Sequence, residues 1–140
     1  MHTSNQEVTP LRLNVMRAYY ALMAFGTDAV FWPSLLSHSH DRGIRNGAQY
    51  ALLGALSPLA LLGLRYPLKM LPIIIYEFVW KALWLVLVAA PLFAAGQMTE
   101  EVWSNVFACS IAIVLTPVVM PWSYFRRAYL LASSEPWRQA

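Results

Sequence analysis

Cysteine chemistry is almost absent from this chain. Its one cysteine, Cys109, excludes an intrachain disulfide, and there is no Cys-x-x-Cys pair for redox work. Lying within an apolar segment, Cys109 reads as a small packing residue. Charge is scarce too: 12% of the 140 residues are Asp, Glu, Lys or Arg, against about 25% in a soluble domain. That composition, 59% hydrophobic with a mean hydropathy of +0.48, belongs to a membrane protein. The first ten residues contain Glu7 but no Lys or Arg. They lack the positive n-region of a cleavable signal peptide, so the first apolar span is expected to be retained. Phosphate-loop and dinucleotide fingerprints are missing. No Gly-x-Ser-x-Gly elbow occurs, and Ser57, Ser104, Ser110 and Ser123 have no membrane His or acid at catalytic spacing. No catalytic residue and no cofactor are assigned, and an enzyme ranks behind the other readings.

What the chain has is long apolar runs. A window of about 20 residues, enough to cross about 30 Å of hydrocarbon, finds four candidate spans: Leu13 to Leu36, Gly47 to Leu64, Leu68 to Ala95 and Val102 to Phe125. The links between them, Ser37 to Asn46, Arg65-Tyr-Pro67 and Gly96 to Glu101, are short, which favours antiparallel neighbours. No internal repeat or long linker divides the chain, so residues 1–140 read as one membrane domain. The expected fold is all-α, an integral membrane four-helix up-down bundle.

Basic residues give the bundle a direction. Arg12, Arg17, Arg65, Lys69, Arg126, Arg127 and Arg138 fall on one side, and only Arg42 and Arg45 on the other, where Glu100 and Glu101 also lie. The positive-inside rule then places both termini and the Arg65 to Lys69 turn in the cytoplasm, as a multi-pass protein of a bacterial inner membrane. The net charge of +3 and pI near 9.2 are explained by this flanking pattern, with no patch for nucleic acid. Tyr19, Tyr20, Trp32, Tyr50, Tyr66, Trp103, Trp122 and Tyr124 lie near span ends, where amphipathic rings form interfacial belts.

Glu77 and Lys81 break the pattern. They stand one helical turn apart within Tyr76-Glu-Phe-Val-Trp-Lys-Ala-Leu-Trp84, in the middle of the third span. A lone ionised side chain in hydrocarbon costs from about 3 to more than about 10 kcal/mol, so such charges are paired, hydrated or neutralised. Glu four residues before Lys is the favoured order for a helical pair. Asp28 lies eleven residues beyond Arg17, roughly 16 Å deeper, and Lys81 twelve beyond Lys69, roughly 18 Å deeper. The expectation is a buried cluster of Asp28, Glu77 and Lys81 joining the first and third spans, with the charged face of the third span turned inward. Its excess negative charge calls for a protonated acid or a partner among Tyr76, Thr27, Thr116, water or another subunit. Three roles fit: a helix-locking ion pair, a polar ligand or headgroup site, and a proton or ion relay.

Other chemistry is thinner. His38, His40 and Asp41 in the outer loop offer imidazole and carboxylate ligands to a metal, but without a Cys or a second spaced pair they read first as a solvated loop. Neither histidine sits at haem-binding depth. Gly54, Ser57, Pro58 and Gly63 give the second span a small-residue surface for close helix approach. Pro117 and Pro121 interrupt the fourth span and free carbonyls that a neighbour must satisfy. Beyond Phe125, residues 126–131 read as a short interfacial helix whose arginines meet lipid headgroups.

The run Leu-Leu-Gly-Leu-Arg-Tyr-Pro-Leu-Lys-Met-Leu-Pro72 and the Tyr76 to Trp84 segment resemble parts of small bacterial membrane proteins, and the four-span layout is similar to that of DoxX-like proteins. The likeness covers topology over most of the chain, with residue-level similarity in the second and third spans. It implies a bacterial inner membrane and carries over no functional residues. Small multidrug transporters share the span number, but the motif around their first-span carboxylate is absent around Asp28. The leading expectation is a non-enzymatic accessory or interaction subunit whose partners are the bilayer and either further copies of itself or a larger membrane complex. The alternative is a small transporter or a lipid-, quinone- or small-cation-binding protein with its polar centre at Asp28, Glu77 and Lys81.

Overall fold

The computed structural model describes residues 8–37 and 44–135, with backbone alone at residues 27, 28, 30, 31, 34, 35 and 44–46. Among the described residues there are five helices and no strand: α1 Pro10–Ser37, α2 Ile44–Arg65, α3 Leu71–Ala94, α4 Glu100–Val119 and α5 at 122–131.

Local chemistry sets most of the boundaries. Pro67 and Pro72 bracket the turn between α2 and α3, and α3 starts at Leu71, three residues later than the hydropathy pattern suggests, with Pro72 in its first turn. Within α3 the residues Leu85–Ala89 form a π-helical turn, and the Ala90 N–H reaches back to the Leu85 carbonyl. This wider turn accommodates Pro91, which has no N–H to continue the α pattern. The helix ends at Gly96, whose φ of +67° suits glycine. Gly96 N–H donates to the Phe93 carbonyl at 3.1 Å and Gln97 N–H to the Leu92 carbonyl at 3.0 Å, the paired bonds of a Schellman end. Thr99 then caps α4 by accepting from the Val102 N–H at 3.3 Å, with Glu100 and Glu101 at the positive end of the helix dipole.

The fourth expected span, Val102 to Phe125, is divided. Pro121 removes an N–H and pushes Met120 out of helical geometry, to ψ 124°, so α4 stops at Val119 and α5 begins at Trp122. The Pro117 carbonyl, which Pro121 leaves without its helical donor, accepts from the Trp122 indole at 2.8 Å. α5 carries Trp122, Phe125 and Tyr129 as a ring ladder, edge-on at 6.0 Å and then stacked at 5.5 Å. Partial burial, and secondarily Tyr124, raise the Tyr129 pKa, so it stays a neutral phenol at physiological pH.

Among the described residues, three helices are long and apolar enough to cross a membrane: α2 from Gly47 to Arg65, α3 and α4. α1 covers the first expected span. The three candidate spans are only 33%, 17% and 22% buried within the chain, so most of their surface faces outward. Side chains such as Val86, Leu87, Phe107 and Val114 are more than half exposed. An apolar surface of that extent requires lipid or a partner around it. The chain is a membrane protein.

The core gathers at one end. Met16, Tyr19, Tyr20, Met23 and Ala24 of α1 pack with Ala60 of α2, Leu71 and Ile74 of α3, and Val119 and Met120 at the end of α4. Gly54, Ser57, Ala60 and Gly63, spaced by three, are buried on α2, and this small-residue face lets α1 approach closely. α1 also closes the ends of its neighbours. Arg12 donates to the carbonyls of Met120 at 2.8 Å and Val118 at 3.3 Å, Arg17 to Leu64 at 3.2 Å, and the Tyr20 hydroxyl to Pro67 at 2.9 Å. Carbonyls at helix C-termini have no intrahelical donor, and cations there also favour the dipole. Arg12→Met strips the Met120 and Val118 carbonyls of this donor, and reversible unfolding in mild detergent is expected to read a loss of about 1–3 kcal/mol.

Tyr19 and Tyr20 depart from the aromatic-belt expectation. They are buried core residues that hydrogen-bond across helices, whereas Trp32, Tyr66, Trp103 and Trp122 are exposed near helix ends. Period-based reading of α1 could not separate the two cases, because polar-tipped rings suit both a membrane interface and a hydrogen-bonded helix seam.

Candidate functional site

Leu71, Ile74 and Glu77 recur every three residues along the buried face of α3, and α4 offers the buried stripe Cys109, Ala112, Thr116 and Val119. The small side chains of Cys109 and Ala112 leave room in that seam for a carboxylate. Glu77 is 2% exposed, the most deeply buried charged side chain described. Its inward direction agrees with the reading of the charged face.

Both carboxylate oxygens of Glu77 are engaged. Lys81 Nζ donates to Oε1 at 2.9 Å, one helical turn away, and the Trp80 indole N–H donates to Oε2. The Lys81 side chain is 16% exposed, and its ammonium lies 5.4 Å from the centre of the Trp80 ring. Lys81 is thus held by a carboxylate and an aromatic face together, which lowers the cost of a cation at this depth. This is the one ion pair among the described residues. The Trp80 contact was legible in principle, since residues three apart share a helix face, but an indole in an apolar run reads first as hydrophobic bulk.

A second polar contact bridges α1 and α4. The Tyr19 hydroxyl and Thr116 Oγ1 are 2.7 Å apart, and Thr116 Oγ1 donates to the Ala112 carbonyl at 2.8 Å, so Tyr19 is the donor to Thr116. Glu77 lies within electrostatic reach of the Tyr19 hydroxyl and of Cys109. Glu77, Lys81, Tyr19 and Thr116 therefore make a polar centre where α1, α3 and α4 meet. Among the described residues no buried side-chain nitrogen or oxygen lacks a hydrogen-bond partner.

Asp28 lies on α1, but its side chain is outside the described part of the molecule, as are His38, His40 and Asp41. Among the described residues no three His, Cys, Asp or Glu side chains group as metal ligands.

Beside the polar centre, α2 and α3 frame an open groove of about 330 Å³ lined by Ala48, Gln49, Leu52, Leu53, Tyr76, Trp80 and Trp84. Trp80 is the shared wall: its N–H faces Glu77 while its side chain lines the groove. A second open groove, about 340 Å³, is bordered by Trp32, Ser57, Pro58 and Leu61. No protein-family model matches this chain, and no curated protein or solved structure matches it.

Proposed function

We propose that the protein is a four-span, multi-pass protein of a bacterial inner membrane, DoxX-like in layout, with both termini cytoplasmic, acting as a non-enzymatic accessory or interaction subunit. α1 is the fourth span, at the side of α2, and α5 lies in the interface. The observation that carries the accessory role is the satisfied state of Glu77. A deeply buried carboxylate with one oxygen on Lys81 and the other on Trp80 has both oxygens engaged within its own helix and almost no surface open to substrate or water, which suits a structural role within the bundle. Asp28 belongs to this reading as an added member of the cluster, supplied by α1. The large outward apolar surface of α3 and α4 supports lateral association with further copies or with a larger membrane complex.

A second reading draws on the α2–α3 groove. Its walls are aromatic and aliphatic with Gln49 and Tyr76 as polar groups and no charged residue, the composition of a site for a neutral lipid or quinone. Native mass spectrometry of the full chain from mild detergent separates the two. The accessory reading expects a multimer or a co-purifying subunit and no retained mass that depends on Trp84. The second expects one retained small mass per chain that Trp84→Ala removes. A bare monomer refutes both.

A further inference from the structure

The turn joining α2 to α3 holds two cations against one ring. Arg65 Cζ and Lys69 Nζ each lie 5.4 Å from the centre of the Tyr66 ring, and all three side chains are exposed. The backbone beneath them is tightly tied. Tyr66 N–H donates to the Leu62 carbonyl at 2.9 Å, Met70 N–H to Tyr66 at 3.1 Å, and the buried Tyr20 hydroxyl to Pro67 at 2.9 Å. Arg17 adds a third cation at the same corner, anchored on the Leu64 carbonyl. The one ion pair among the described residues is Glu77–Lys81, so no described carboxylate neutralises Arg65 or Lys69.

Position supplies the partner. Arg65 closes one candidate membrane span and Leu71 opens the next, so the turn between them lies at a membrane surface, at headgroup level. We propose that Arg65, Tyr66 and Lys69 form a binding site for the phosphate of an anionic phospholipid. This rests on α2 and α3 crossing the membrane, and is independent of whether the protein is an accessory subunit. The cation–π contacts hold both bases 5.4 Å from the centre of one ring, which places two donors at one turn for a phosphate diester whose acyl chains lie along the apolar outer faces of α2 and α3. A zwitterionic lipid presents the same phosphate with an added ammonium that these two cations repel, which makes the site selective for net negative charge.

The test uses the full chain in mild detergent, titrated in parallel with phosphatidylglycerol and phosphatidylcholine at equal mole fraction and low salt. Retained lipid is counted by native mass spectrometry, and the melting temperature is followed. The expected result is preferential retention of phosphatidylglycerol with a raised melting temperature. Each basic residue at an anionic surface is worth about fivefold in affinity, so Arg65→Gln/Lys69→Gln reduces the preference by about 25-fold. Both replaced side chains are exposed, so the variant is expected to keep the parent's melting temperature in phosphatidylcholine. Arg126→Gln/Arg127→Gln, which removes the same charge from α5, is expected to leave most of the preference. Three results overturn the proposal: equal retention of the two lipids by the parent, equal loss of preference in both double variants, or a melting shift from inorganic phosphate as large as that from phosphatidylglycerol. The last would assign the site to a soluble anion.

Discussion

Lys81→Met is expected to lower stability in mild detergent by about 3–5 kcal/mol, the cost of leaving a buried charge without its partner. Glu77 cannot escape to water: it is 2% exposed, and its remaining donor is the neutral Trp80 indole. Glu77→Gln is expected to cost less, about 1–3 kcal/mol, because an amide still accepts from Trp80 and the partly exposed Lys81 can reach solvent or headgroups along its flexible stem. The double variant Glu77→Gln/Lys81→Met removes both charges and returns toward the parent. Reversible unfolding in SDS, read by circular dichroism, measures the cycle. A double variant as unstable as the sum of the singles means that the pair does not couple, and the lock is wrong. Proton flux in liposomes from the parent, abolished by Glu77→Gln, would instead favour the relay.

Gly63→Ala is expected to separate α1 from α2. A Cβ on Gly63 would overlap the Tyr20 ring, and that ring has nowhere to go. Tyr20 is fully buried, and its hydroxyl is fastened to the Pro67 carbonyl at 2.9 Å. Overpacking of this kind costs about 1–3 kcal/mol. The cost should sit at the upper end here, because relieving the overlap by moving the ring also breaks the bond that holds the α2–α3 turn. In a Tyr20→Leu background the same glycine replacement should cost little, since the ring has gone. An equal cost in the two backgrounds, measured by the same unfolding assay, would show that the close approach is not the reason for glycine at this position.

The effect of Gly63→Ala also marks where sequence reading stops. The small residues Gly54, Ser57 and Gly63 were visible as a surface that another helix could approach, because spacing by three or four places them on one face. Which side chain occupies that surface is a property of a second helix more than forty residues away in the chain. Its place near a span end suggests an interfacial belt for Tyr20, whereas the structure buries it in the core. Arg12 is similar: as a charge flanking an apolar run it reads as a topology signal, and only the apposition of the start of α1 with the end of α4 reveals a donor to the Met120 and Val118 carbonyls. Pro121 marks an interruption in the sequence, yet hydropathy continues to Phe125 and hides the change of direction.

The all-helical class, the membrane setting and the Glu77–Lys81 pair are all legible in the sequence. The physical reason is that each rests on local quantities: hydropathy summed over a window, prolines and glycine at helix ends, and a four-residue spacing that closes an ion pair within one helix. Only the tertiary structure shows that the Glu77 face of α3 is buried against α4 and that Tyr19 reaches Thr116. It also decided that the packed core lies at the basic end while α2 and α3 frame a groove nearer the other. These facts depend on how helices distant in sequence rotate and approach one another, and helices of nearly uniform apolarity carry little in their periodicity to set that rotation.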